Sequence, residues 1–183
     1  MPESQSKLLV NKMRTRESLL QFLDTQGITY REARHAAVYT MAESASLAQS
    51  LEGIRCKSLL VQSRKGSDRL LVVTPPDASV DLGALGRSLG VGRLSFCSPS
   101  EMMSLLGVEP GAMSPFALLA DREARKVRLI LDLALKPASH FLFHPLVNTA
   151  TVSIYSEELS HFLAAIDHPP EFVAVPRRVN EAN

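Results

Sequence analysis

The sequence predicts a mixed α+β fold: a curved, mixed, largely antiparallel sheet or partial barrel with helices around it. Short apolar runs with strand-like alternation recur along the chain, and segments with helical periodicity and N-terminal caps stand among them. The turns between successive strands are short, which favours antiparallel or mixed pairing. A length of 183 residues and a hydrophobic content of 45% fit one folded domain.

Five helices are predicted from a capping side chain followed by apolar residues at helical spacing. The expected N-cap residues are Thr15, Thr40, Asp81, Ser98 and Ser156. The fourth helix has the clearest pattern, because proline follows the cap and glutamate stands at the third helical position.

Strands are predicted where Val, Leu, Ile and aromatic residues cluster between turn residues. The expected strands are residues 28–33, 56–62, 69–74, 93–97, 116–120, 126–135, 141–143, 149–154 and 172–175. The second and third form a hairpin around the turn Lys65-Gly66-Ser67-Asp68. We expect a flexible N-terminal lead over residues 1–13, one domain over 14–175 and a flexible tail over 176–183.

The net charge gives the chain no overall attraction to nucleic acid. The net charge is +1, from 20 basic and 19 acidic residues, so a polyanion would have to bind a local basic cluster. Each such cluster, taken alone, is more typical of a solvated surface. The candidates are Lys12, Arg14 and Arg16; Arg64, Lys65 and Arg69; and Arg122, Arg125, Lys126 and Arg128.

No apolar run approaches the roughly 20 residues that cross a membrane, and the N-terminus does not resemble a secretory signal. We therefore expect a cytoplasmic protein that does not contact membranes. Two isolated cysteines, Cys56 and Cys97, are too few for a disulfide framework.

The common catalytic motifs are missing from the sequence. The glycines at positions 83, 86, 90 and 92 do not have the spacing of a phosphate-binding loop. His140 and His144 lie in an extended segment without an acidic ligand between them, so no zinc site is expected. No serine lies in a Gly-x-Ser-x-Gly turn. We therefore expect neither a cofactor nor a metal.

Three features remain, and each has an ordinary structural interpretation. Two extended runs meet at a polar elbow that carries His144 and Asn148. A histidine in such a turn commonly has a structural role and is held by hydrogen bonds. Lys57 opens an apolar strand, where a lysine commonly protects a sheet edge. Gly111 and Pro115 are consistent with a tight connecting loop.

Together with the segment Leu94-Ser95-Phe96, these features resemble the YbaK/prolyl-tRNA synthetase-associated editing family, and most of all its freestanding alanyl-tRNA(Pro) deacylases. The resemblance extends from about Gly27 to about Val175, with the motifs in the same order. The motifs are Lys57 opening a Leu/Val strand, Leu94-Ser95-Phe96 before a helix, Gly111-x-x-x-Pro115 followed by Phe116, and His144-Pro-Leu-Val-Asn148-Thr149-Ala-Thr.

The resemblance implies that a positioned water hydrolyses the ester of a mischarged tRNA, assisted by the ribose hydroxyl beside that ester. It implies that Lys57 holds the phosphate or the carbonyl, that the Gly111 loop offers backbone N–H groups, and that His144 shapes the pocket; these three form the expected catalytic set. The expected substrate-binding residues are Tyr30, His35, Ser58, Ala112, Met113, Ser114, Pro115 and Asn148.

The expected substrate is Ala-tRNA(Pro), because prolyl-tRNA synthetase cannot strongly reject the smaller alanine by binding alone. Ser58 stands where the family often has asparagine, and Ala36 where it often has proline, which leaves serine, cysteine or a small non-protein amino acid open as the cargo. A non-catalytic module that binds tRNA or a protein is the alternative. The expected partners are the acceptor end of tRNA and, as a second candidate, prolyl-tRNA synthetase, with the chain a monomer or weak dimer.

Overall fold

The computed structural model describes residues 14–37, 51–64 and 68–178. Within these ranges the chain forms nine strands, four α-helices and two 3-10 helices. The helices are α1 (Arg16–Thr25), α2 (Leu82–Ser88), α3 (Pro99–Leu106) and α4 (Ser156–Ala165), with 3-10 helices η1 (Pro115–Asp121) and η2 (Leu133–Leu135). The strands are β1 (Tyr30–Arg34), β2 (Ile54–Arg55), β3 (Lys57–Ser63), β4 (Arg69–Thr74), β5 (Leu94–Phe96), β6 (Val127–Asp132), β7 (His140–Phe143), β8 (Ala150–Tyr155) and β9 (Glu171–Val173).

The strands form two mixed sheets, which confirms the predicted α+β class. The first sheet has the order β1-β8-β7-β2 and the second has the order β5-β3-β4-β6-β9. Neither sheet closes into a barrel among the described residues. Only Cys56 separates β2 from β3, so one extended run of chain passes from the first sheet to the second.

The main hydrophobic core lies against one face of each sheet. It contains alternate residues of β3 and β4, such as Leu60 and Val73, together with Phe143 of β7 and Val152 of β8. A smaller cluster covers the other face of the second sheet, where Val61 of β3 and residues of α2 and β6 meet. Successive residues of β3 therefore face different clusters, as the alternation of side chains in a strand requires.

Three of the predicted N-caps are confirmed by hydrogen bonds. The Thr15 side chain accepts from Ser18 N, the Asp81 side chain accepts from Ala84 N, and Ser98 forms a capping box with Glu101. These caps depend on residues three positions apart, so the local sequence was sufficient to predict them.

The predicted cap at Ser156 is wrong by one residue. Ser156 is the first residue of α4, and its N-cap is Tyr155, which makes no side-chain cap bond. The Ser156 N–H instead donates to Ser139 O at 2.9 Å, so α4 follows directly from β8. The predicted helix after Thr40 lies outside the described residues.

Two predicted strands need correction. Residues 116–120 belong to the 3-10 helix η1, which begins at Pro115, and not to a strand. Nearly all of these residues are buried, and a continuous apolar run of this kind is also typical of an internal strand, which is why a strand was predicted. The strand predicted over 126–135 ends at Asp132, whose Oδ1 accepts from Ala134 N and starts η2.

The 69–74 hairpin strand pairs as predicted, although residues 65–67 of its turn lie outside the described residues. Beyond the expected domain end, Pro176 O accepts from Asp81 N, and Arg178 N donates to Ser79 O. The described chain is therefore bonded to the domain as far as Arg178. The expected lead over residues 1–13, and residues 179–183 of the expected tail, lie outside the described part.

A buried contact between a histidine and an aspartate joins the end of η1 to the segment after α4. His168 Nε2 lies 3.2 Å from Asp121 Oδ2, and His168 Nδ1 lies 3.0 Å from Ile166 O, so both ring nitrogens face acceptors. Burial lowers the pKa of His168, but its bonds to Asp121 and Ile166 and the charge of Asp121 raise the pKa, and the net direction is upward. The folded protein therefore favours the imidazolium form.

We predict that Asp121→Asn lowers the free energy of unfolding by about 3 kcal/mol below pH 6.5, because it leaves a buried cation without its partner. The folded pKa of His168 lies above its unfolded value, so this stabilisation is complete below the unfolded pKa and is lost as pH rises through the folded pKa. Chemical denaturation of both proteins between pH 5 and 9 measures the difference.

The matched control is Asp132→Asn, which breaks a pair with an arginine, Arg177, where Asp121→Asn breaks a pair with a histidine. Its destabilisation should not change with pH. A destabilisation by Asp121→Asn that is constant with pH, or that grows as pH rises, would contradict the assignment of a charged His168.

Candidate functional site

His144 lies immediately after β7, at one end of the first sheet. Its Nδ1 lies 2.7 Å from Ala150 O, at the start of β8. Since a carbonyl oxygen only accepts, Nδ1 carries the proton, and Nε2 of the neutral ring carries the lone pair. The half-buried imidazole is therefore fixed in one tautomer by the strand that follows it.

The surroundings of His144 keep its ring neutral. Burial lowers the pKa of His144, the bond to Ala150 opposes that effect, and the charges of His35 and Arg55 lower the pKa further. The net direction is downward from a value already below neutral pH. A neutral imidazole can accept a hydrogen bond through Nε2, which an imidazolium cannot do.

His35 lies beside His144, with 5.9 Å between the ring centroids. Its Nε2 lies 2.8 Å from Thr151 Oγ1, and its backbone N–H donates to Thr149 O at 3.0 Å. Both contacts are to β8 or the residue before it. The structure therefore brings two of the predicted site residues together at one end of the first sheet.

The loop that begins at Gly111 has a local reason for its glycine. Ala112 N donates to Glu109 O at 3.1 Å, which closes a turn with Pro110 and Gly111 at its centre. Gly111 has a φ of 89°, as the third position of a type II turn requires. Gly111 is exposed, whereas the three residues after it, which include Met113, are buried.

Two contacts join this loop to the histidine elbow. Ser114 is fully buried, and its Oγ donates to His144 O at 2.8 Å. Two residues later, the Phe116 ring packs edge-on against Phe143, with centroids 5.9 Å apart. Pro115 between them is buried and begins η1. The two sequence motifs, 30 residues apart, are thus joined at the consecutive residues Phe143 and His144.

The elbow itself has an uncommon backbone. Leu146 has a φ of 66°, a region that bulky residues rarely adopt, and its side chain is buried in the main core. Pro145 is also buried, and Asn148 is half-buried in the same turn. Such a conformation persists only where surrounding packing enforces it, and it often accompanies a functional site.

Lys57 and Ser58 face opposite sides of β3. Ser58 pairs with Val73, which belongs to the main core, and its Oγ is buried without a hydrogen-bond partner in the described structure. Lys57 pairs with Thr74, and its Nζ donates to Ala78 O at 3.0 Å. None of the contacts seen in the described ranges joins either residue to His144.

Tyr30 lies at the far end of β1 from His35, and five residues of strand span roughly 16 Å. Its hydroxyl donates to Asp24 Oδ1 at 3.1 Å. It lines a cavity of about 190 Å³ together with residues that include His140 and Tyr155. The structure does not bring Tyr30 to the other predicted site residues.

Arg55 is a neighbour of His144 that the sequence did not reveal. It pairs with Leu142 across β2 and β7, two residues before His144. Nothing in the sequence marks this arginine, because its position beside the histidine follows from the parallel pairing of two short strands that are distant in the chain.

The basic clusters proposed from the sequence are partly neutralised. Arg125 pairs with Asp167, and Arg128 donates two hydrogen bonds to Glu171. Arg16 likewise pairs with Glu32. These arginines are weaker candidates for binding a polyanion than their density in the sequence indicates, because much of their charge is already balanced.

The side chains limit the chemistry open to this site. Burial raises the pKa of the Cys56 thiol to about 12 and that of Cys97 to about 11, so both remain protonated at neutral pH and are poor nucleophiles. Across the described ranges, no group of three His, Cys, Asp or Glu side chains is placed to hold a metal ion.

No helix in the described part of the chain is long and apolar enough to span a membrane.

Comparison with known proteins gives consistent results. Residues 35–162 match the aminoacyl-tRNA editing domain family. The prolyl-tRNA editing protein ProX of Acetoanaerobium sticklandii is 31% identical over 153 residues, which cover 84% of this chain and 93% of ProX. The prolyl-tRNA synthetase associated domain-containing protein 1 of Mus musculus is 31% identical over 159 residues, which cover 85% of this chain and 93% of the mouse protein.

The fold is also found among solved structures. The crystal structure of a proposed trans-editing enzyme for prolyl-tRNA synthetase aligns with a TM-score of 0.65 at 20% identity, covering 89% of this chain and 98% of that one. This likeness concerns the fold. The family match, which contains both His35 and the joined motifs at Ser114 and His144, shows that the chain belongs to the aminoacyl-tRNA editing domain family.

Proposed function

We propose that this protein is a trans-acting deacylase that hydrolyses the ester of mischarged tRNA, and that its substrate is Ala-tRNA(Pro). The observation that carries the proposal is the joining of the 111–115 loop to the His144 elbow by the Ser114 hydrogen bond. Membership of the editing family and the similarity to a prolyl-tRNA editing protein support it.

The proposed reaction needs no protein nucleophile. Water attacks the carbonyl carbon of the ester and a tetrahedral oxyanion forms. Its collapse breaks the bond to the ribose oxygen, which takes up the proton that the water releases. The protein's contribution is to orient the ester and to stabilise the oxyanion. The Ala112 N–H already donates to Glu109 O, so we assign the oxyanion contacts to the neighbouring N–H groups of Gly111 and Met113.

His144 is proposed to orient the terminal ribose. With Nδ1 donating to Ala150 O, the neutral ring offers Nε2 as an acceptor for the ribose hydroxyl beside the ester. That hydroxyl can in turn assist the attacking water, as the family resemblance implies. His35 packs beside this ring and, with Asn148, supports the same wall of the pocket.

Lys57 is proposed, on the resemblance, to contact the ester carbonyl at the acceptor end. It would exchange its bond to Ala78 O for one to the substrate, which its flexible four-carbon chain permits. Small residues at 112 and 114 fit a pocket that admits alanine, and a second site of this size corrects an error that binding alone cannot prevent.

The experiment is a panel of aminoacyl-tRNAs treated with the wild-type protein and with Lys57→Ala. We expect Ala-tRNA(Pro) to lose its ester at least roughly 100-fold faster than spontaneously, while Pro-tRNA(Pro) is spared. Lys57→Ala should abolish turnover with the fold intact by circular dichroism. Lys136→Ala, which removes a lysine from the end of η2, is the matched control and should retain the wild-type rate.

If no ester in the panel is lost faster than spontaneously, the chain is a binding module and the enzyme proposal fails. If Ala-tRNA(Pro) persists while a Ser, Cys or non-protein aminoacyl-tRNA is cleared, only the substrate assignment is wrong. Unchanged turnover in Lys57→Ala would remove this lysine from the site.

We predict that Ser114→Ala lowers both stability and turnover. The substitution leaves the partly buried His144 carbonyl without the Ser114 donor, which costs about 1–3 kcal/mol of unfolding free energy. Without this bond the 111–115 loop is no longer fixed against the His144 elbow, and its proposed oxyanion-binding N–H groups lose their position. Because the oxyanion forms only during the reaction, kcat should fall more than KM rises. Ser160→Ala, which removes a surface hydrogen bond within α4, is the control and should change neither. Wild-type kcat in Ser114→Ala would show that the site does not depend on this bond.

A further inference from the structure

Arg55 is half-buried and has no acidic partner in the described part of the chain. Arg16, Arg128 and Arg177 are each paired with a carboxylate. For Arg55, burial alone acts on the guanidinium and lowers its pKa. A partly desolvated cation without a counter-charge is costly, so the position of Arg55 favours an anion that the described residues do not supply.

The position of Arg55 identifies where that anion would lie. Arg55 pairs with Leu142, so it lies on β2, the strand beside β7. Its positive charge is close enough to His144 to lower the pKa of that ring. Cys56 packs against the main core, so its neighbours Arg55 and Lys57 lie on the opposite side of the run, about 6–7 Å apart. The Lys57 ammonium already donates to Ala78 O, whereas the Arg55 guanidinium has no bonding partner in the described part of the chain.

The chemistry of the substrate indicates which anion binds. The carboxyl group of an aminoacyl ester is uncharged because it is esterified, and the amino group of the amino acid is a cation that Arg55 would repel. The anion nearest to the ester is the phosphodiester on the 5′ side of the terminal adenosine. The planar guanidinium fork suits two phosphate oxygens.

We propose that Arg55 binds the 5′ phosphate of the terminal adenosine and so places the ester against His144 and the 111–115 loop. The inference rests on the proposed function, since it assigns a further substrate-binding residue to that site. It makes Arg55 the phosphate-binding residue and leaves the carbonyl contact to Lys57.

The test compares the binding of adenosine 5′-monophosphate with that of adenosine by calorimetry, which does not require hydrolysis. In the wild-type protein we expect the monophosphate to bind at least 10-fold more tightly than adenosine. Arg55→Gln should reduce that ratio to about 1, and Arg55→Lys should retain part of it. Arg87→Gln, which removes an exposed arginine of α2, is the matched control and should keep the wild-type ratio.

Deacylation kinetics give a second readout. With the aminoacyl-tRNA that the wild-type protein clears, Arg55→Gln should raise KM about 10-fold and leave kcat within a factor of about 2, because the phosphate contact is made in both the ground and transition states. Thermal denaturation should show both Arg55 variants to be folded.

The inference is overturned if the wild-type protein binds the monophosphate no more tightly than adenosine, undetectable binding of both included, or if Arg55→Gln keeps the preference. A wild-type protein that prefers the monophosphate but hydrolyses no aminoacyl-tRNA would instead contradict the proposed function and leave the phosphate site standing.

Discussion

The candidate site depends on one partly buried hydrogen bond, from Ser114 Oγ to the backbone carbonyl of His144. The contact between Phe116 and Phe143 holds the same two segments together from the core side. Because the His144 ring is also bonded to Ala150 O, its position and tautomer are set by groups on both sides. Two loops that would otherwise be independent thereby form one wall, and such a wall is the rigid support that the proposed ester hydrolysis, without a protein nucleophile, requires.

The fold was predictable where its determinants are local. The Ser98–Glu101 capping box and the pairing of β3 with β4 depend on residues close in sequence, and both were expected. The 3-10 helix after Pro115 was not, because its unbroken burial is a property of the assembled core and not of the segment. Nor does the sequence mark Cys56 as the point where the chain leaves one sheet for the other.

The site was predictable in part for the same reason. The Gly111 loop and the His144 elbow are each a continuous stretch of sequence, so each could be recognised as a motif. The family resemblance then predicted that the two lie in one site. Side-chain direction needs the register of the strands, so Ser58 was expected beside Lys57 in the pocket although it faces the core. Arg55 was not predicted, because it is marked by the lack of an acidic partner among the described residues and by a histidine at the end of another strand. Neither feature can be seen in its sequence neighbours.

The most direct test is a crystal structure with a non-hydrolysable analogue, in which an amide links alanine to the 3′ position of adenosine 5′-monophosphate. We expect the alanyl group between the 111–115 loop and the His144 ring, with the phosphate within hydrogen-bonding distance of Arg55. An analogue bound instead in the cavity beside Tyr30 and Tyr155, with the loop and His144 unoccupied, would contradict it.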